Sequence, residues 1–149
     1  LALTAQAAMA QEADPNASGV LEEIVVTARK RAESMQDVPA SISALSSSEL
    51  AKRFDSDVRD FADSSPNVVI DDTQQGPGGV AAVYIRGIGV ADVEKSVDPA
   101  VGVVFDDIYL GQSSGSLMKA IDIDRVEVLR GPQGTLFGRN ATGGVINIA

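Results

Sequence analysis

Hydrophobic and polar residues alternate along several short stretches of the chain, and this period of two is typical of β-strands that bury one face. Strands are predicted at residues 38–45, 68–70, 80–86, 101–105, 108–110, 125–129 and 145–148. Asp106 and Asp107, which separate two of these strands, predict a tight turn and therefore a β-hairpin. The last strand is still running at Ala149, so we expect the chain to be a fragment of something larger.

Short helices are predicted after the first of these strands. Ser46 and Glu49 have the spacing of a capping box, in which each side chain bonds the backbone N–H of the other residue. They predict a helix that runs through Arg53. Asp57 can cap a second helix, with Phe61 on the face that turns toward the core.

Glycine dominates the loops of the second half, where thirteen of the fourteen glycines lie at or beyond Gly76. A phosphate-binding P-loop is excluded, because Gly138 is followed by Arg139 and not by Lys. A dinucleotide-binding turn at residues 87–89 is excluded as well, because Asp92 stands where the third glycine is needed. The glycines are therefore interpreted as tight turns and as points of close approach to a neighbouring wall.

Composition narrows the chemistry further. The chain has no Cys and no His, which excludes thiol chemistry, His-based triads and metal sites built from these residues. The spacing of a calcium loop is also missing, so no metal and no cofactor is expected. The formal net charge of -9 argues against a nucleic-acid partner, because phosphate binding needs a basic surface. The aspartates between residues 55 and 72 are interpreted as helix-end and solvent-facing charges, with a carboxylate enzyme as the alternative.

The N-terminal region differs from the rest of the chain. Residues 1–10 are small and apolar and end in an A-x-A pattern, which favours the remnant of a signal peptide over a simple N-terminal tail. Residues 11–21 are polar and predict a flexible linker. Residues 24–27 favour β-structure and lie between acidic and basic clusters. They form either a strand that adds to the sheet edge of a partner or the first strand of the domain, and composition does not choose between these interpretations.

Seven short motifs follow one another along the chain. They are IVVTA at 24–28, YIRGIG at 84–89, DPAVGV at 98–103, DIYLG at 107–111, RVEVLRGP at 125–132, GTLFG at 134–138 and TGGVINI at 142–148. Each motif is weak alone, but the ordered set closely resembles the plug domain of TonB-dependent outer-membrane receptors, in the branch that takes up iron complexes. The first motif resembles a TonB box.

This resemblance implies a fold and a domain organisation. The fold would be α+β, with a small mixed sheet of about four strands, short helices and long Gly-rich loops, normally lodged in a 22-stranded β-barrel that is absent from this chain. The implied domains are a signal-peptide remnant at 1–10, a flexible linker at 11–21, a TonB box segment at 22–31 and the plug at 32–149. The implied location is the Gram-negative outer membrane, with the N-terminus facing the periplasm.

The resemblance also implies a function and its partners. The plug would be the gate of a transporter and not an enzyme. It would occlude its own C-terminal β-barrel and contribute to binding a ferric siderophore or another large nutrient complex. The TonB C-terminal domain would bind the N-terminal box and remodel the plug.

Specific residues follow from the same resemblance. TonB would bind Ile24, Val25, Val26, Thr27 and Ala28. Arg86 and Arg130 would pair with glutamates on the inner barrel wall, the alternative being two solvated arginines at strand ends. Substrate contacts are expected in three loops, at Gln74, Gln75, Gly76, Gly89, Asp92, Gln112 and Ser113.

One alternative function belongs to a different class. The chain could be a free-standing secreted or periplasmic binding or adaptor domain that uses the plug fold. The sequence downstream of Ala149 distinguishes the two, because a transporter would continue into many alternating segments of about ten residues. The sequence does not name the substrate, since similar receptors import siderophores, vitamin B12, haem, metals or carbohydrates.

Overall fold

The computed structural model of the chain describes residues 24–27, 29–53, 58–72, 80–92, 96–111 and 123–149. Within these residues there are ten strands and three helices. The helices are α1 (Ser47–Arg53), α2 (Val58–Ser64) and α3 (Gly134–Phe137). The strands are β1 (Val25–Val26), β2 (Glu33–Ser34), β3 (Ser41–Ser46), β4 (Val68–Asp72), β5 (Ala81–Ile85), β6 (Ile88–Gly89), β7 (Val101–Phe105), β8 (Ile108–Leu110), β9 (Arg125–Arg130) and β10 (Gly144–Ile148). None of the helices in the described ranges is long and apolar enough to cross a membrane.

The largest sheet has five strands in the order β3-β9-β10-β7-β8. Its neighbouring strands are antiparallel except β10 and β7, which are parallel. At its centre, Ile146 of β10 lies between Val128 of β9 and Val103 of β7. Residues 126–129 of β9 and all of β10 are buried because both faces of these central strands are covered.

One face of this sheet, which we call the helix face, carries Val126, Val128, Ile146 and Ile148. It is covered by α1, α2 and a second, antiparallel sheet in the order β4-β5-β6. The core on this face consists of twelve buried apolar residues: Leu50, Phe61, Ala62, Val68, Ile85, Val101, Val103, Ile123, Val126, Val128, Ile146 and Ile148. Burial of these side chains, which contributes about 1.5–3 kcal/mol for each fully buried Val, Leu, Ile or Phe, is the main force that joins the two sheets.

The opposite face of the five-stranded sheet, which we call the N-terminal face, carries Glu127, Leu129, Val145 and Asn147. Its apolar core is smaller and consists of Val104, Leu129, Ala141 and Val145, with Phe137 of the glycine-rich loop packed against it. The hairpin of β1 and β2 lies next to the polar part of this face, and Val26 of that hairpin is only 1% exposed. The ammonium of Lys30 lies 5.7 Å from the ring centre of Phe137 and so joins the hairpin to the glycine-rich loop.

Two tight turns are built from residues with a left-handed backbone. Asp106 and Asp107, with φ of 46° and 64°, join β7 to β8 and confirm the predicted hairpin. Arg86 and Gly87, with φ of 54° and 78°, join β5 to β6 in the same way. Positive φ at both central residues suits the twist of antiparallel strands. Arg86 is thus the first residue of a turn, whereas the sequence predicts it at the end of a strand.

Glycines in the second half of the chain allow close packing inside the domain. A Cβ atom at Gly144, where φ is 149°, would lie 2.3 Å from the carbonyl oxygen of Leu129. A Cβ atom at Gly89 would lie 2.3 Å from the ring of Tyr84. Contacts within the domain therefore account for the glycine at these two positions.

The α+β class, the mixed sheet and the short helices are confirmed, although the main sheet has five strands and not about four. One half of the capping box is present, since the carboxylate of Glu49 accepts the backbone N–H of Ser46 at 2.9 Å and also the hydroxyl of Ser46 at 3.0 Å. The sequence did not predict α3 in the glycine-rich loop. Residues 1–21 and the predicted helix cap Asp57 lie outside the described residues.

Candidate functional site

The predicted TonB box forms a short strand that, among the described residues, is paired on one side only. Val25 of β1 lies opposite Ser34 of β2, and the N–H of Met35 donates to the carbonyl oxygen of Ile24 at 2.9 Å. Antiparallel partners alternate between hydrogen-bonded and non-hydrogen-bonded pairs. The backbone polar groups of Val25 therefore point away from β2. Ala28, the last residue of the predicted box, lies outside the described residues.

The turn that follows the box is held by hydrogen bonds and ion pairs. The N–H of Lys30 donates to the carbonyl oxygen of Thr27 at 2.7 Å. The carboxylate of Glu33 pairs with Arg29 at 3.6 Å and also with Arg31. Ion pairs this close to the surface contribute little energy, so the pairing of β1 with β2 depends mainly on backbone bonds and on burial of Val26.

A buried carboxylate holds the end of the predicted box on the five-stranded sheet. The side chain of Glu127 in β9 is 0% exposed. Its Oε1 accepts the backbone N–H of Thr27 at 2.7 Å and the Nε of Arg125 at 2.8 Å. Its Oε2 accepts from Nδ2 of Asn147 at 3.1 Å, and Arg125 also donates to the hydroxyl of Thr27 at 2.9 Å. The hydroxyl of Thr27 donates to the same Oε1 at 3.3 Å. The charge of Glu127 is thus balanced by one guanidinium, and the carboxylate accepts from four donors, as a buried carboxylate requires.

Glu127 and Asn147 are candidate functional residues that the sequence did not single out. A signal for them exists, because each is a polar residue that shares a face with apolar neighbours, Leu129 in β9 and Val145 in β10. A polar residue at an inward position of a central strand indicates a buried polar contact. The sequence does not reveal which segment makes that contact, since Thr27 is 100 residues away from Glu127.

An open cleft of about 650 Å³ borders this group of polar residues. Its lining includes Thr27, Lys30, Arg31 and Arg125 on one side and the turn residues Asp106 and Asp107 on the other. The space beside the predicted box is therefore polar, carries both signs of charge and is open to solvent.

Arg130, the first of the two predicted barrel-contacting residues, is already bonded inside the domain. Its Nε donates to the carbonyl oxygen of Pro66 at 3.2 Å and its Nη1 donates to the hydroxyl of Ser41 at 3.1 Å. Its Nη2 donates to the hydroxyl of Ser43. All three acceptors are neutral, so the positive charge of Arg130 is fixed in position without being neutralised by them.

Arg86, the second predicted residue, lies close to Arg130 although the two belong to different sheets. A Cβ atom at Gly131, which follows Arg130, would lie 3.9 Å from Nη1 of Arg86. Burial, and then the positive charge of Arg86, lower the pKa of Arg130. Among the described residues, no carboxylate forms an ion pair with either arginine. The pair is a local concentration of positive charge that suits a carboxylate partner from outside the described chain.

The predicted substrate-contacting residues are only partly described. Gly89 is half-buried in β6, and Asp92 is exposed three residues later. Both β4 and β6 run antiparallel to β5 and so point in the same direction, but Asp72 at the end of β4 lies opposite Ala81 whereas Gly89 at the end of β6 lies opposite Tyr84. The other predicted residues, Gln74, Gln75, Gly76, Gln112 and Ser113, lie outside the described residues. A role of these residues in substrate binding stays a prediction.

The described residues are expected to hold no metal ion, and the possible ligands are few. Carboxylates are the available metal-ligating side chains, because the chain has neither Cys nor His. Within the ranges that the structure describes, no group of three or more such side chains could hold a metal ion.

Comparison with known proteins assigns the chain to a family. The model of the TonB-dependent receptor plug domain matches residues 34–145. The chain therefore belongs to the TonB-dependent receptor plug domains, and the resemblance of residues 34–145 to that domain is confirmed.

Individual relatives agree with this assignment. The chain is 37% identical over 133 residues to the iron-regulated outer membrane virulence protein of Vibrio cholerae, a match that covers 85% of this chain and 20% of that protein. It is 31% identical over 139 residues to the vitamin B12 transporter BtuB of Vibrio vulnificus, covering 93% of this chain and 21% of that protein. The chain thus spans about a fifth of the length of the curated relatives it matches.

Solved structures agree as well. The ferric yersiniabactin uptake receptor FyuA from Yersinia pestis is similar with a TM-score of 0.61 and 30% identity, over 73% of this chain and 16% of that one. The ferripyoverdine receptor of Pseudomonas aeruginosa has a TM-score of 0.64 over 83% of this chain and 16% of that one. Because the identity to the ferripyoverdine receptor is only 20%, this similarity shows a shared fold and nothing more.

Proposed function

We propose that this chain is the gate of a TonB-dependent transporter in the Gram-negative outer membrane. It occludes a C-terminal β-barrel, contributes to binding of a ferric siderophore or a similar nutrient complex, and couples to the TonB C-terminal domain through residues 24–28. Membership of the plug family and the names of the relatives support the gating part of this proposal. The observation that carries the coupling part is the outward edge of β1 at Val25.

Strand addition is the binding mode that this edge supports. An extended segment that presents unpaired backbone groups can bind a partner sheet mainly through main-chain hydrogen bonds. The side chain of Val25 is 49% exposed, so a partner can reach it, whereas that of Val26 is buried against the domain. Val25 thus combines an open backbone edge with a position at the surface, which supports strand addition at this residue.

The substitution Val25→Pro tests the coupling. Proline removes the backbone N–H of residue 25, which points away from β2, so it removes a donor that the partner would use and leaves the β1–β2 bonds in place. In the full-length receptor we expect energised uptake of the substrate to be abolished, while substrate binding changes little. Uptake and equilibrium binding of labelled substrate by whole cells measure the two effects.

Val25→Ala is the matched control for this test. Alanine shortens the same exposed side chain and keeps the N–H, so uptake by this variant should stay close to that of the wild type. Normal energised uptake by the Val25→Pro variant would rule out residues 24–28 as the coupling strand.

Arg86 and Arg130 are proposed to hold the plug in its barrel. Two adjacent guanidinium groups without an ion-pair partner in the described chain would bind carboxylates of the inner barrel wall in bidentate fashion. This proposal is tested by substituting Arg130 both in the full-length receptor and in the 149-residue chain. The loss of stability is then compared between the two proteins. Equal costs would contradict it.

The substrate class is proposed from the relatives. One is an iron-regulated protein and another is a ferric yersiniabactin uptake receptor, which favours a ferric siderophore. A cobalamin is the second candidate, because vitamin B12 transporters match a larger share of this chain. Uptake by the full-length receptor of radiolabelled iron as siderophore complexes, compared with that of labelled cobalamin, distinguishes the two candidates.

A further inference from the structure

The outward edge of β1 presents backbone groups at alternate residues. Ile24 and Val26 turn their polar groups toward β2, so those of Val25 point away from it. Hydrogen-bonding groups on one side of a strand recur at every second residue, and the N–H of Thr27, the residue after β1, is the next donor on this side. A partner strand that extends along this edge from Val25 toward the turn therefore meets Thr27.

At Thr27 both backbone groups are already engaged. The N–H donates to Oε1 of Glu127 at 2.7 Å, and the carbonyl oxygen accepts the N–H of Lys30 at 2.7 Å. A hydrogen bond to an ionised acceptor is about twice as strong as one between neutral groups. The docked strand is thus blocked at Thr27, the position next to Val25 along this edge.

We propose that Glu127 competes with the partner strand for the N–H of Thr27 and so keeps the docked box in a state of low affinity for TonB. The inference rests on the proposed function of residues 24–28 as the TonB-binding strand. The carboxylate oxygen of Glu127 occupies the position that a carbonyl oxygen of the partner strand would take, and one N–H does not donate linearly to both. Strand addition at Thr27 therefore requires that the bond to Glu127 breaks first.

The surroundings of Glu127 make this exchange reversible. When Thr27 leaves, the carboxylate keeps the Nε of Arg125 at 2.8 Å and the Nδ2 of Asn147 at 3.1 Å. A buried carboxylate without partners would be strongly destabilising, but this one retains a guanidinium and an amide. Arg125 and Asn147 are therefore positioning residues, which hold the carboxylate ready to accept Thr27 again.

The test uses the full-length receptor, free of substrate, with Glu127→Ala. We expect amide hydrogen exchange in the peptide that contains Thr27 to accelerate, and the affinity for the isolated TonB C-terminal domain to rise, each by about tenfold. This is the order expected when a hydrogen bond to a charged group is lost. Val128→Ala is the matched control, because Val128 is the next residue in β9 and equally buried but lies on the helix face. It should change neither quantity by a comparable factor.

Glu127→Gln is the second variant, in case the alanine variant does not reach the membrane. Glutamine keeps the size and one acceptor oxygen but not the charge, so both quantities should rise by a smaller factor. Unchanged exchange at Thr27 would overturn the inference, and so would faster exchange with unchanged or lower affinity. If neither the wild type nor the variants bound TonB, the proposed function would be wrong, and this inference would be wrong with it.

Discussion

On the helix face of the five-stranded sheet, other elements are held by contacts between apolar side chains. On the N-terminal face, they are held partly by hydrogen bonds to a carboxylate. The first face buries twelve apolar residues, which come from both larger sheets, from α1 and α2, and from Ile123 next to β9. The second buries a cluster of four, and beside it Glu127 and Asn147 contact the predicted TonB box. One face thus joins regular elements to each other, and the other joins the sheet to a strand of only two residues.

This difference separates a stable part of the domain from a part that can detach. Apolar side chains lose their burial energy in full when they meet water. Polar groups exchange one partner for another, so the net loss per hydrogen bond is only about 0.5–1.5 kcal/mol. The N-terminal face is therefore the one from which a segment can be removed at lower cost. We expect the box to leave the sheet while the helix face stays intact.

The largest effect is expected for Phe61→Ala on the helix face. The ring of Phe61 is 1% exposed, so its removal should lower the free energy of unfolding of the 149-residue chain by about 3–5 kcal/mol. Urea-induced unfolding measures this change. Val69→Ala, at a residue that is 57% exposed in β4, is the control and should cost less than about 0.5 kcal/mol. A cost below 1 kcal/mol for Phe61→Ala would contradict the role given to this face.

A smaller and local effect is expected for Val26→Ala on the N-terminal face. Val26 is buried to the same extent as Phe61, but it belongs to the segment that we expect to open separately from the rest. The free energy of local opening of residues 24–35 should fall by roughly 1–2 kcal/mol, which hydrogen exchange of these amides would show as a rise of about tenfold. The control, Val25→Ala, alters the exposed neighbour and should leave exchange unchanged. If Val26→Ala instead lowered the global free energy of unfolding as much as Phe61→Ala, the two faces would not differ in the way described.

The smallest effect is expected at the polar edge of the helix face, for Arg130→Met in the 149-residue chain. Loss of the bonds to Ser41, Ser43 and Pro66 should lower stability there by about 1 kcal/mol. In the full-length receptor the cost should be larger by about 1.5–3 kcal/mol, because ion pairs with the barrel wall would be lost as well. Hydrogen exchange of the β9 amides, compared between the two proteins, measures the difference. Ser41→Ala, which removes only an internal acceptor, should cost the same in both.

Local features of the fold could be predicted from the sequence because neighbouring residues determine them. The hairpin at Asp106 and Asp107 and the capping box at Ser46 and Glu49 follow from residues within one turn of each other. The contact between Glu127 and Thr27 could not be predicted, since it joins positions 100 residues apart and periodicity carries no information about such pairs.

The N-terminal strand shows the same limit. The sequence left open whether residues 24–27 add to a partner or form the first strand of the domain. Among the described residues, β1 is the first strand and pairs with β2. The other edge of β1 is unpaired among the described residues and could bind a strand of another chain, so the partner role remains a proposal. The two interpretations therefore describe different edges of one strand.

The position of β10 has a consequence for how the domain forms. This strand comes last among the described elements, yet it lies in the middle of the five-stranded sheet, between β9 and β7. A nascent chain that has emerged only as far as Gly143 lacks the strand to which β7 and β9 must pair. The main sheet is therefore assembled after synthesis of residues 144–148, from segments that are distant in sequence. Such a topology has a high contact order and folds slowly, so β7 and β9 have unpaired edges for much of the folding time and are exposed to aggregation until β10 arrives.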